Sequence, residues 1–343
     1  MKVSFVSSQA ISQAMRYQML RMQADLVTAN KEMVELRFAD VGVALGARTG
    51  MSVSMHREID RLKGLSDSNE LAAARLKSTQ VGLQDLSKAA DKLFAAYTTA
   101  SSDATDPKIA RKEAEAVLAT MTSVLNANLN GEHLFAGINT DVTPIADFLD
   151  PASPNRVALE DAFATYPFAD PNNITDVEMD AFLTSVEDQF LGADWNTHWS
   201  TATDQQITSR ITLTETAQTS VSANIDGVRK LAMAAATVAV VFDETLSDKA
   251  RAVVLERTIG LIGESILDLA NQQGFTGITE QRIEQANERM SMQVDLLNNS
   301  LIDLEGVDPF EATTRVEGLR AQIELSYALT ARMQQMSLLK YLS

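Results

Sequence analysis

The readiest candidates for metal or acid–base chemistry are His56, His133 and His198, with Trp195 and Trp199 flanking the last of them. The three histidines lie far apart in sequence, and none has the HxxxH or HExxH spacing that places two ligands on one helical face. There is no cysteine, so the ligand supply is thin and thiolate chemistry is absent. No serine sits in a GxSxG elbow. Gly42, Gly46 and Gly50 stand four apart, but neither Gly-Lys-Ser/Thr nor GxGxxG accompanies them, so they read as a hinge and not as a phosphate loop. Trp195-Asn-Thr-His-Trp199 could line a pocket, although a small aromatic-rich segment needs such residues for its own core. The carboxylates are spread along helical faces, as solvated surfaces are. The expectation is therefore no catalytic, cofactor-binding or metal site, and no enzyme.

The composition points the same way. A net charge of −17 repels phosphate backbones and anionic lipid, so nucleic-acid binding and membrane insertion are not expected. The most apolar run, Leu231 to Phe242, is 12 residues long, too short for a bilayer and suited to a buried helix. No secretory signal pattern opens the chain. Aromatics are scarce at 6%, and Pro and Gly are few, which suits long helices better than sheets.

The clearest pattern lies at the two ends. Met15, Met19, Met22, Leu26, Ala29, Met33 and Leu36 recur at alternating steps of four and three, a heptad seam. Val316, Leu319, Ile323, Tyr327, Thr330, Met333 and then Leu338 answer it near the other end. Each segment shows one narrow apolar stripe and needs a partner. The first helix (about 11–37) and the last, capped at Asp308-Pro309-Phe310-Glu311, are natural partners. Twelve of these residues form the expected assembly interface: Met15, Met19, Met22, Leu26, Met33, Leu36, Val316, Leu319, Ile323, Tyr327, Met333 and Leu338. The Ser-containing lead before the first helix is expected to be loose.

Between the ends, helices are expected over about 52–100, from Asp106-Pro107 to a Gly131 cap, over 204–242 and 247–273, and, after Gly274-Phe-Thr-Gly277, over 279–304. Composition shifts in the middle. Five of the seven prolines lie between Pro144 and Pro171, and both tryptophans fall before residue 200. The expected division is a terminal coiled-coil domain (1–42 and 305–343), a helical rod (43–144 and 204–304) and an inserted outer domain (145–203). That insert would be α+β or mainly β, and dispensable for assembly. The fold class expected is mainly α, with long antiparallel helices.

Several segments resemble the flagellar hook-associated protein 3 family, the hook–filament junction proteins of the flagellin superfamily. They are the lead Lys2-Val-Ser-Phe5, Phe135-Ala-Gly-Ile-Asn-Thr-Asp-Val-Thr-Pro144, Leu304-Glu-Gly-Val-Asp-Pro-Phe-Glu-Ala312 and Ser337-Leu-Leu-Lys-Tyr-Leu342. The likeness covers both ends and the flanking helices but not 145–200. It departs at Ala39–Gly46, where many members carry a Ser-x-Ser-Asp-Asp-Pro turn. The resemblance implies a structural subunit that self-associates in a ring, contacts a neighbouring hook-associated protein and flagellin, and meets an export chaperone in the cytoplasm. It also implies type III export to the extracellular flagellum. Filament flagellin shares the terminal design; a coiled-coil secretion-tip or signalling protein is the reading from another class.

Overall fold

The computed structural model describes residues 8–102, 107–171, 173–243 and 246–342; for 8, 9, 12, 102 and 333–342 only the backbone is described. The lead at 1–7 and the expected cap at Asp106 lie outside the described residues. In chain order the elements are α1 (Ser8–Glu35), α2 (Val41–Leu45), a 3-10 turn (Gly46–Arg48), α3 (Thr49–Ser102), α4 (Pro107–Leu125), β1 (Asn128–Leu129), β2 (Glu132–His133), α5 (Pro154–Thr165), α6 (Asp176–Leu191), α7 (Trp195–His198), β3 (Thr208–Arg210), β4 (Thr216–Gln218), α8 (Asp226–Val241), α9 (Asp248–Glu305) and α10 (Pro309–Leu342). The fold is mainly α, with long helices and two small antiparallel sheets.

Packing separates two compact units. One comprises residues 1–64 and 290–343, the other 65–289. The long helices α3 and α9 contribute residues to each.

In the first unit α1 and α10 form an antiparallel hairpin. Direction and register follow from two cross-pairs, Gln23 with Tyr327 and Glu32 with Arg315. α1 stops at Leu36, which adopts φ +53. For a leucine that conformation costs about 1–2 kcal/mol. The chain crossing holds it there: Val307 N–H donates to Leu36 O (3.0 Å), Phe38 N–H donates to Glu305 O (2.9 Å), and Arg37 bridges Gly306. The region read as a hinge is ordered. Asp40 caps α2 by accepting from Val43 N–H (3.0 Å), and the 3-10 turn leads straight into α3.

In the second unit one apolar cluster runs from Leu83, Leu86 and Leu93 of α3 through α4 to α8 and the first half of α9. α8 is the expected buried helix. Its alanines let α4, α5 and α6 close on it from several sides, and almost every residue from Leu231 to Val241 is buried. Residues 145–203 do not enclose a core of their own. Trp199 stacks between Phe148 and Trp195 (centroids 5.3 and 5.4 Å), and all three belong to the same cluster as Leu83 and Leu231. The segment is helical rather than β, and the paired strands flank it. Its ends meet where Ala146 N–H donates to Trp199 O and Thr201 N–H to Pro144 O (3.1 and 2.9 Å).

Three expectations are corrected. Asn130-Gly131 is no helix cap: α4 ends at Leu125, and the pair, at φ 55 and 88, makes the tight turn between β1 and β2 that Asn-Gly favours. Residues 204–225 are not helical. Their Ile/Thr alternation forms the β3–β4 hairpin, whose Ile211 and Ala217 rest on Ala72, Leu76 and Ile283. Finally, Gly274 and Gly277 do not divide 248–305. α9 is one helix of 58 residues, because two glycines cost about 1 kcal/mol each and helix continuity outweighs that.

Candidate assembly interface

The face of α1 turned to α10 carries the heptad seam. Ala29 is buried and Met22 is 9% exposed, while Met15, Met19, Leu26 and Met33 are half-buried. From α10 come Ala312, Val316 and Ile323, all buried, with Leu319 and Ser326 half-buried. Two of the twelve expected residues lie off this seam. Leu36 is half exposed, because its positive φ ends the helix before its side chain can turn inward. Tyr327 is half exposed one step past the seam. Ser326 takes the inward place, and the Tyr327 hydroxyl instead accepts from Gln23 Nε2 at 2.9 Å. Met333 and Leu338 have side chains outside the described residues.

Polar contacts that periodicity does not reveal join α1 to α10 and α3 to α9. Glu32, 8% exposed, accepts from Arg315 Nη1 (3.0 Å) and from Ala39 N–H (3.3 Å). Glu305, 5% exposed, accepts from Ser52 Oγ (2.5 Å) and lies 3.1 Å from His56 Nε2. Only their positions beside apolar seam residues could have hinted at this. At the start of α10, Asp308 caps as expected, accepting from Phe310 and Glu311 N–H (2.8 and 3.3 Å). The Glu311 carboxylate does not return the bond; it accepts from Arg315 Nη2 (2.9 Å), so the capping box is half formed.

A second stripe on α1 is largely exposed among the described residues. Tyr17, Leu20, Ala24, Val27, Lys31 and Val34 repeat the same heptad, shifted two residues from the seam, and point outward. Tyr17, Val27 and Val34 are each at least 70% exposed. Leu325 and Leu329 continue an exposed apolar line on α10. Charge follows the same division. Residues 1–35 carry four basic and three acidic side chains and residues 309–343 again four and three, so 36–308 holds the whole excess, at −19. Copies could bring these ends together without accumulating like charge, which the acidic middle would oppose.

Two of the three histidines make structural contacts. His133 Nδ1 lies 3.0 Å from Asn126 O beside the first hairpin, and His56 sits against Glu305. Among the described residues no group of three His, Asp or Glu could hold a metal, and no helix is long and apolar enough to cross a membrane. A surface cleft of about 470 Å³ is lined by Asp180, Glu187, Glu256 and Glu264, but Arg257 already pairs with the first two.

The arrangement defines a class: a helical subunit whose near-neutral terminal hairpin exposes an apolar stripe. Comparison supplies the family. Residues 6–140 match the bacterial flagellin N-terminal helical region and 259–342 the bacterial flagellin C-terminal helical region, together more than half of the chain. The chain belongs to the flagellin superfamily and with it to the structural components of the flagellum. No curated protein matches it significantly. Among solved structures it is similar to a protein described as a flagellar hook-associated protein from Vibrio parahaemolyticus, at 10% identity and TM-score 0.53, covering 75% of this chain and 97% of that one. At that identity the likeness is one of fold.

Proposed function

We propose that this chain is the subunit that joins the flagellar hook to its filament. The observation that carries the reading is the exposed second heptad on a near-neutral hairpin: a monomer gains nothing from Tyr17, Val27 and Val34 in water, whereas a ring of copies buries them. In this reading the seam residues, Met22, Leu26, Val316 and Ile323 among them, keep α10 on α1. The outer stripes then meet neighbouring copies, with a further hook-associated protein and flagellin on either side of the ring. The segments 135–144 and 304–312 favour the junction over filament flagellin. Residues 145–203 serve as the outer part. Export runs through the flagellar type III route, with a cytoplasmic chaperone covering α10 beforehand, and the finished protein is extracellular.

The test is to shear flagella from the parent bacterium and quantify this chain by mass spectrometry. A minor, sub-stoichiometric component supports the junction role. The major component would make it the filament subunit, and absence would leave a secretion-tip or signalling role. Deletion of the gene separates the cases further: the junction role requires hooks without filaments and flagellin released into the medium.

A further inference from the structure

In the second unit α3 and α9 run antiparallel and carry apolar features on opposite sides of the pair. Gln273 Nε2 on α9 donates to Leu83 O and Ser87 Oγ on α3 (3.2 and 2.7 Å), and Asn69 Nδ2 on α3 donates to Asn287 Oδ1 on α9 (2.8 Å). These bonds fix the faces that the two helices turn to each other. At about 100° per residue, Ser78 and Val81 lie about 140–160° around α3 from Leu83, and Phe275 and Ile278 lie as far around α9 from Gln273. On the α9 side Leu267, Phe275 and Ile278 are 66, 66 and 57% exposed. Nothing lies within 4 Å of where a Cβ of Gly274 or Gly277 would stand, so Phe275 projects from a low stretch of backbone. On the α3 side a groove of about 410 Å³ lies between α3 and α4, with Val81, Gly82, Val124, Ala127 and Phe135 in its lining. Gly82 lets the Phe135 ring come within 3.0 Å of the place a Cβ would take, and it puts no side chain into the groove.

We propose that the α3–α4 groove is the docking site for the Leu267–Ile278 stripe of a second copy of this chain. A projecting aromatic on one side and a groove on the other make a heterologous contact: each copy gives its stripe to one neighbour and its groove to the next. Charge favours a second copy as the occupant. Residues 145–203 carry eleven acidic side chains and one basic one, so copies repel each other through that surface. The groove and the stripe are the opposite case. Asp85, the ionic side chain in the groove lining, is bridged to Lys88 at 2.9 Å, and Asp268 beside the stripe is bridged to Lys230 at 2.8 Å. Two copies of an acidic chain can therefore meet there without setting unpaired like charges against each other. The area sets the strength. Three side chains in one groove fall well short of the ~1,200 Å² that a stable pair buries, so the contact is weak between two free chains and becomes firm only where each copy is held on both sides. That copies joined in this way close a ring rests on the function proposed above.

The experiment uses the full chain, which has no cysteine, so that each introduced thiol is unique. Val81→Cys and Ile278→Cys chains are purified, concentrated and treated with a short bis-maleimide, alone and mixed. The linker makes weak encounters permanent, so the contact need not be stable to be read. The mixture should give a covalent dimer that peptide mass spectrometry assigns to an 81–278 link, and each variant alone should give little, because a heterologous contact never brings a site to its own copy. Phe275→Asp added to the Ile278→Cys chain should lower the yield roughly tenfold or more, since its carboxylate would have to enter an apolar groove. Phe275 is largely exposed, so the thermal midpoint of that chain should not move; should it fall, Phe275→Ala takes its place in the same assay. Three results would overturn the proposal: no 81–278 link in the mixture, equal linking of either variant with itself, or a yield that neither change at Phe275 lowers. A Val81→Cys chain that links in sheared flagella to a different protein, and not to Ile278→Cys, would overturn the second copy as the occupant. The purified chains decide whether the contact forms, whereas the abundance of the chain in flagella decides the junction role, so either can fail without the other.

Discussion

Arg315 on α10 reaches across the hairpin to Glu32 on α1 at 3.0 Å, and Glu32 is nearly buried while Arg315 remains half exposed. The pair is asymmetric in consequence. Arg315→Ala leaves a carboxylate among apolar neighbours with only the Ala39 N–H; Glu32→Gln removes the charge and keeps an acceptor. We expect Arg315→Ala to cost the hairpin about 1–2 kcal/mol, at the low end because water screens the guanidinium, and Glu32→Gln to cost less. Hydrogen exchange over residues 22–35 measures both. A larger loss for Glu32→Gln would show that the ion pair is not what holds this end.

Glycine substitutions should divide by position. At Gly306 an added Cβ would lie 2.3 Å from Ile302 O, within the crossing that ties Leu36 to Val307, so Gly306→Ala should cost on the order of 2–4 kcal/mol and release α10. At Gly274 and Gly277 nothing lies within 4 Å, and alanine there should stabilise α9 by about 0.5–1 kcal/mol each. Thermal unfolding of the three single variants checks the signs.

The seam was legible because a heptad is a local property: residues three and four apart meet whatever the rest of the chain does. Its ends were not. Leu36 satisfies the spacing, but the backbone turns left-handed there for the sake of hydrogen bonds to Glu305 and Val307, 270 residues further along the chain. Tyr327 is apolar enough to continue the count, yet Ser326 takes the inward place. The outer stripe is equally periodic, but Ala24 and Lys31 interrupt its apolar character, so spacing alone does not mark it as a contact face. Aromatic and proline clustering marked 145–203 correctly as distinct in composition. What composition could not tell is that Trp195 and Trp199 would pack into the core of α8 and α4 and not into a core of their own.

That packing argues that the second unit needs the segment to fold. Trp195 is fully buried; its Nε1 donates to Asn224 Oδ1 at 2.8 Å, and Arg229 lies 5.7 Å over its ring. Trp195→Ala should cost about 3–5 kcal/mol, and a Gly/Ser linker in place of 145–203 should unfold the second unit. Calorimetry of the purified variants tests this. A linker variant with a parental transition would restore the view of a detachable domain.

Alkaline pH should act through Tyr97. Its ring is fully buried, its hydroxyl faces Ala234 O at 3.5 Å, and burial, aided by the charge of Glu113, holds its pKa well above the ordinary tyrosine value. The sign follows from proton binding. Above about pH 10 the unfolded tyrosine releases its proton while the folded one keeps it, so the unfolded state binds fewer protons and stability falls as pH rises. The contribution is complete below that pH and is lost above it. Tyr97→Phe should be nearly neutral at pH 7, since the hydrogen bond is long, and should flatten the alkaline limb of a stability–pH curve measured with urea. An unchanged limb would assign the alkaline loss to other groups.

The outer stripe and the seam can be separated by one charge placed on each. Ile323 is buried between α10 and α1, so Ile323→Asp puts a carboxylate where apolar side chains pack, at a cost of several kcal/mol unless it takes up a proton. The hairpin should open in the monomer, and assembly should fail as a consequence. Val27 and Leu325 are 70% and 64% exposed, so aspartate there is solvated in the monomer and should change its stability by less than about 0.5 kcal/mol. In a ring the same carboxylate would meet a neighbour's apolar side chains. Val27→Asp and Leu325→Asp should therefore leave hydrogen exchange of α1 and α10 at parental rates and yet yield cells that make hooks without filaments. Glu35→Asp, off both stripes, is the control and should swim. Normal filaments on Val27→Asp and Leu325→Asp would mean that copies do not meet through these stripes. Loss of α1 protection in those variants would mean that the two faces are one packing surface, already filled within the monomer.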